Sequence, residues 1–164
     1  MLLLLWILGV AVGIFFFFVV LRGAPYVPTH RPAVEQALDM LKAPKGSHFI
    51  DLGSGDGVFL KAAAERGYSV VGYEINPFLC LISYIRCWKY RDRVSVRWRD
   101  FWLTRMPEDT DVVFVFLAGP YLRKLHKKLT AERTKPLTVV SYGFLIPGAG
   151  EPVKSVGALH LYKY

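Results

Sequence analysis

Phe49-Ile-Asp-Leu-Gly-Ser-Gly-Asp-Gly57 decides how this chain folds. An apolar run closes on an acid, glycine then takes every second position, and the Ala-rich stretch Val58-Phe-Leu-Lys-Ala-Ala-Ala-Glu65 follows. After Gly67 a second apolar run, Val70-Val-Gly-Tyr-Glu74, closes on another acid. Strand, glycine turn, helix and strand make a βαβ unit. Open α/β sheets bind their ligands at the carboxyl ends of such strands.

The same alternation continues outward. Strands are expected at His48–Leu52, Ser69–Glu74, Val94–Arg97, Asp111–Leu117, Leu137–Phe144 and Ala158–Tyr164. Helices are expected at Gly57–Arg66, Pro77–Tyr90 and Tyr121–Arg133. Asp111-Val-Val-Phe-Val-Phe-Leu117 is nearly all apolar, as a parallel strand buried on both faces must be. Ahead of this unit, Pro25, Pro28 and Pro32 favour an extended segment, with Pro32 in a first helical turn and Thr29 or His30 near its cap. Val34, Leu38 and Leu41 mark one face of a helix that ends before Pro44-Lys-Gly46.

Met1–Leu21 contains no charged residue. About 20 helical residues cross the hydrocarbon core of a bilayer. A cleaved signal peptide needs a basic start and a small-residue cleavage site; nothing basic precedes Leu2, and Arg22-Gly-Ala-Pro25 is a poor site. The expected organisation is a single membrane anchor over 1–22, a proline-containing linker and first helix over 23–46, and one α/β domain over 47–164. Arg22 and Arg31 follow the span, which places the domain on the cytosolic side, or the matrix side of a mitochondrial inner membrane.

The net charge of +8 admits a nucleic acid, an anionic membrane surface or an acidic protein as partner. With an apolar span attached, the lipid surface is the economical choice. Cys80 and Cys87 lie two turns apart on one expected helix, too far for an easy disulfide, and read as reduced core or near-core residues. His30, His48, His126 and His160 are scattered without metal spacing, and no metal is expected.

The glycine turn suits two kinds of cofactor. A dinucleotide asks for G-x-G-x-x-G and a helix N-terminus aimed at its pyrophosphate. Here the third glycine comes one residue early, and Asp56 puts a negative charge in the turn. S-adenosylmethionine has no phosphate and carries a sulfonium cation, so acids in the loop suit it. A plain turn with no ligand is the third reading. In the second, Gly53, Gly55 and Gly57 allow close backbone approach beside Ser54. Asp51 orients loop amides or accepts from the ligand's amino group, Glu74 takes the ribose hydroxyls, and Ile75 and Asn76 follow it. Asp100 accepts from the adenine amine, and Phe101 or Ile75 flanks the ring.

Asp51–Gly57, Glu74 and Asp100 resemble the class I, seven-strand S-adenosylmethionine-dependent methyltransferases. Pro25-Tyr-Val-Pro-Thr29, Asp51-Leu-Gly-Ser-Gly-Asp-Gly57 and Gly72-Tyr-Glu-Ile-Asn-Pro77, behind an apolar N-terminal run, are similar to the membrane-anchored protein lysine methyltransferases related to the mitochondrial enzyme that acts on the c-subunit of ATP synthase. The resemblance implies a Rossmann-like seven-strand sheet, here with a shortened C-terminal part. It also implies N-methylation of a lysine in a protein near a membrane. The tail after Phe144 shows no helix before its last strand.

In such chemistry the substrate amine must be neutral, and its ordinary pKa is about 10.4. An apolar pocket beside a cation lowers it. Tyr26, Thr29 and Tyr121 are candidates to shape that pocket; against this, Tyr26 also suits linker packing and Tyr121 a helix start. Ala118-Gly-Pro-Tyr121 lacks the Asn-Pro-Pro-Tyr/Phe pattern that holds a planar nitrogen, which argues against amide or base-amine methylation. Trp98 and Trp102 interleaved with Arg97, Arg99 and Arg105 keep a membrane-tethered RNA methyltransferase in play. A non-catalytic S-adenosylmethionine-binding module is the remaining alternative.

Overall fold

The computed structural model describes residues 2–7, 9, 10, 13 and 27–164. Residues 2–7, 9, 10 and 13 are helical. Among the described residues no helix is long and apolar enough to cross a membrane. The expected span over 1–22 lies mostly outside them, as does Tyr26.

Seven strands form one sheet: β1 (His48–Leu52), β2 (Ser69–Glu74), β3 (Val94–Trp98), β4 (Val112–Val115), β5 (Thr138–Tyr142), β6 (Lys154–Val156) and β7 (Leu159–Lys163). Their spatial order is β3-β2-β1-β4-β5-β7-β6. The first five run parallel, while β7 is antiparallel to both β5 and β6. The order reverses between β1 and β4, which is where an open α/β sheet opens a crevice.

Four helices pack on this sheet: α1 (Arg31–Leu41), α2 (Val58–Glu65), α3 (Pro77–Cys87) and α4 (Gly119–Glu132). The α1 cap is His30 with proline in the first turn, and α3 is capped by Asn76, whose side chain accepts the Phe78 and Leu79 N–H groups. One sheet face buries Val34 and Leu38 of α1 and Leu60 of α2 against Phe49, Phe114 and Leu161. The other buries Leu122, Leu125 and Leu129 of α4 against Ile50, Val113, Val139 and Tyr162. Alternate residues of β1 and β4 thus serve opposite cores, which explains their near-continuous hydrophobicity.

Two segments depart from the sequence expectation. The fourth strand keeps only Val112–Val115, and Phe116 and Leu117 leave the sheet to form a wall beside it. The tail is a hairpin rather than one strand: β6 turns into β7 at Gly157, where φ is +57°. A three-residue strand reading Lys-Ser-Val carries no alternation long enough to detect. Between β5 and β6 the described chain has no helix. Both cysteines are free, Cys87 buried and Cys80 half-buried.

Candidate functional site

A cleft of about 350 Å³ opens at the carboxyl ends of β1, β2 and β4. Its floor is the glycine turn. Gly53 and Ser54 donate their N–H groups to the Tyr73 carbonyl at 2.9 and 3.0 Å, and Gly55 donates to Glu74 Oε2 at 2.8 Å. The other carboxylate oxygen, Oε1, accepts the Asn76 N–H at 2.8 Å. One buried acid therefore ties the β1 turn to the start of α3, and charge-assisted bonds of this kind are the strong ones.

Three acids meet here. Asp51 is 3 % exposed and Glu74 8 %. Burial pushes the Asp51 carboxyl well above the usual range, and the charges of Glu74 and Asp56 push it further. Asp56 is balanced by Arg86 at 2.9 Å. The charge that Asp56 was expected to present to a ligand is thus largely neutralised.

The opposite wall is Arg99-Asp100-Phe101-Trp102, and the Arg99 N–H donates to the Glu74 carbonyl at 3.0 Å. Asp100 Oδ1 accepts the Trp102 N–H at 2.9 Å, which turns the chain so that the Phe101 and Trp102 rings pack side by side, centroids 4.4 Å apart. Val27, Thr29, Phe116 and Phe144 complete the mouth.

Of the residues expected at a cofactor site, Asp51, Gly53, Ser54, Gly55, Glu74, Ile75, Asn76, Asp100 and Phe101 line this cleft. Gly57 does not. It caps α2 at φ +80°, and a Cβ there would lie 2.3 Å from Ser83 Oγ, so its place is the crossing of α2 and α3. Asn76 is at the wall, with its side-chain oxygen engaged in capping α3. Of the residues expected around a substrate amine, Thr29 lines the cleft. Tyr121 stands behind Trp102, ring centroids 6.4 Å apart, in the packing of the second core. Val27, Leu79, Trp102, Phe116 and Phe144 were not anticipated. Trp102 had a signal in its adjacency to Asp100 and Phe101, whereas Phe144 lies past a strand end that hydrophobicity alone could not place.

The residues suit a nucleoside bearing a positive charge. Two buried acids sit in one wall, aromatic rings form the other, and glycines leave the backbone open. Tyr73 OH and Ser54 Oγ, both on cleft-lining residues, are buried with no hydrogen-bond partner among the described residues. Buried polar atoms are rarely left so. Among the described residues no group of three or more His, Cys, Asp or Glu side chains could hold a metal ion.

The sequence profile of the ANTKMT methyltransferase domain matches residues 51–154. The chain belongs to this methyltransferase family. Among its relatives is the human lysine N-methyltransferase of the ATP synthase c-subunit, 34% identical over 125 residues, covering 75% of this chain and 53% of that protein. The mouse adenine nucleotide translocase lysine N-methyltransferase is 37% identical over 136 residues, covering 81% and 58%. The chain spans about half the length of the curated relatives it matches. Among solved structures, the RNA methyltransferase from Salinibacter ruber in complex with S-adenosyl-L-homocysteine superposes with a TM-score of 0.75 at 28% identity, covering 84% of this chain and 92% of that one. Within the family frame, the seven-strand order is the methyltransferase sheet.

Proposed function

We propose that this chain is an S-adenosylmethionine-dependent N-methyltransferase acting on a lysine of a protein, held at a membrane by its uncharged N-terminal run. The observation that carries the reading is the cleft that joins buried Asp51 and Glu74 to a glycine turn, in a chain of the ANTKMT methyltransferase family.

Glu74 would hold the ribose hydroxyls while its two oxygens keep the Gly55 and Asn76 amides in place. Asp100 would take the adenine amine, with Ile75 and Phe101 flanking the ring. Asp51 would face the cation or the ligand's ammonium. The bound sulfonium supplies an already activated methyl group, so the S–CH3 bond breaks as the N–CH3 bond forms. The chain's own contribution is then positioning and desolvation. Val27, Phe116 and Phe144 form an apolar mouth in which a lysine amine loses its proton more easily, and Thr29 adds a polar group to that mouth. The proton that the lysine ammonium gives up before attack leaves to water, and the methylammonium product keeps its charge. Tyr26 remains a proposed member of this mouth.

The test is transfer of tritium from labelled S-adenosylmethionine in membranes containing the full chain. Label that resists nuclease, is lost to protease and maps by mass spectrometry to a lysine supports the reading. Label removed by nuclease favours an RNA methyltransferase, a reading that the Salinibacter ruber relative keeps open. Resistance of the chain to carbonate extraction tests the anchor over 1–22. Protease protection of the domain tests its side.

A further inference from the structure

The outer side of α3 carries large side chains that the described residues leave uncovered. Leu81 is 57 % exposed, Ile85 65 %, Trp88 52 % and Trp98 65 %. Leu81, Ile85 and Trp88 recur at helical spacing and form one stripe. In α1 and α4 the leucines face the sheet. In α3 the arrangement is inverted: the buried residues are Ser83 and Cys87, and the bulky apolar ones face out. Trp98 is fixed at the start of α3, its indole Nε1–H donating to the Ile75 carbonyl at 2.9 Å.

The surroundings are cationic. Between Ile75 and Arg99 stand Arg86, Lys89, Arg91, Arg93, Arg97 and Arg99 against a single acid, Asp92. Arg86 is engaged by Asp56 and Arg93 by Asp92. Lys89 and Arg91 follow Trp88; the Arg91 guanidinium lies 5.2 Å from its ring centre and the Lys89 ammonium 5.8 Å from that of Tyr90.

We propose that this face is a docking surface for an anionic lipid bilayer. The axis of α3 lies along the headgroups, Leu81, Ile85 and Trp88 reach the acyl boundary, and Lys89 and Arg91 meet lipid phosphates or carboxylates. Charge selects this occupant. A second copy of the chain would set the same cations against each other. A bilayer offers spread negative charge over an apolar interior, and tryptophan favours that boundary. The Ile75 carbonyl holds Trp98, and Ile75 also lines the cleft, so docking fixes the height of the cleft mouth above the lipid. The inference stands apart from any methyl transfer.

The test uses the full chain carrying Trp6→Phe and Trp102→Phe, so that Trp88 and Trp98 are the reporters. It is mixed with phosphatidylcholine vesicles with brominated acyl chains, with and without phosphatidylserine. Emission is expected to be quenched on the phosphatidylserine vesicles. Leu81→Ser with Ile85→Ser should lower that quenching by about half or more. Lys89→Gln with Arg91→Gln should lower it on the anionic vesicles alone. These side chains are exposed, and the unchanged thermal midpoint of each variant verifies its fold. Absence of quenching on anionic vesicles overturns the proposal. So does self-association abolished by Ile85→Glu without quenching, which assigns the face to a second copy.

Discussion

Gly72 in β2 packs directly beneath Ser54 of the glycine turn: a Cβ on Gly72 would lie 2.7 Å from Ser54 Oγ and 2.5 Å from Leu60 Cδ1. The strand can pass under the turn only while that position has no side chain. Gly72→Ala is expected to destabilise the fold by about 1–3 kcal/mol, the usual cost of overpacking. It should also weaken S-adenosylmethionine binding more than an equally destabilising core change such as Leu129→Ala. Thermal unfolding and calorimetric titration of the two variants check this.

Glu74→Gln keeps the size of the side chain and replaces one acceptor oxygen by an NH2 group. Either the Gly55 or the Asn76 N–H then faces a donor. An orphaned buried donor costs about 1–3 kcal/mol, so affinity for S-adenosylmethionine should fall roughly tenfold to hundredfold. Equal affinity in the variant and the parent would remove Glu74 from the site.

Asp51 gives a pH dependence of defined sign. Its folded-state pKa is raised, by burial first and then by Glu74 and Asp56. The folded chain therefore holds a proton that the unfolded chain has released, and stability falls as pH rises from the unfolded pKa to the folded one. Asp51→Asn should raise the thermal midpoint at pH 8, by about 2–4 °C for each kcal/mol recovered. A cationic ligand favours the ionised acid. Binding by the parent should release a proton and strengthen with rising pH, and Asp51→Asn should flatten that trend. Titrations in buffers of different ionisation enthalpy measure the proton.

Burial raises the thiols of Cys80 and Cys87 to about 11. At pH 8 their thiolate population is on the order of a hundredfold below that of an ordinary cysteine. Both should react slowly with a disulfide reagent while the chain is folded and at once in guanidinium. Rapid labelling of the native chain would contradict the packing of α3 against α2.

Much of this was legible in the sequence because β1, β2 and the turn between them are locally determined. Hydrophobic runs, glycines and terminal acids all lie within Phe49–Asn76, and the cleft takes Asp51, Gly53, Gly55 and Glu74 from them. Gly57 lies outside the cleft lining, and spacing alone cannot tell a glycine in such a lining from one that meets Ser83 across two helices. Asp56 was read as a bare charge because its partner, Arg86, lies a full helix away in sequence. The aromatic wall of the mouth was read only in part. Phe116 and Phe144 sit at strand ends, and the point where a strand leaves its sheet depends on neighbours that are remote in the chain.

The position of β7 has a consequence for how the chain emerges from the ribosome. This strand, at Leu159–Lys163, lies between β5 and β6, and Tyr164 and Leu137 exchange backbone hydrogen bonds at 2.8 and 3.1 Å. Until Leu159–Lys163 clears the exit tunnel, β5 has β4 on one side and an open, Val-rich edge on the other. Such an edge is a template for unwanted pairing. A nascent chain stalled near Gly157 would hold a nearly finished glycine-turn half and an exposed strand, a form that chaperones or aggregation would claim before the sheet could close.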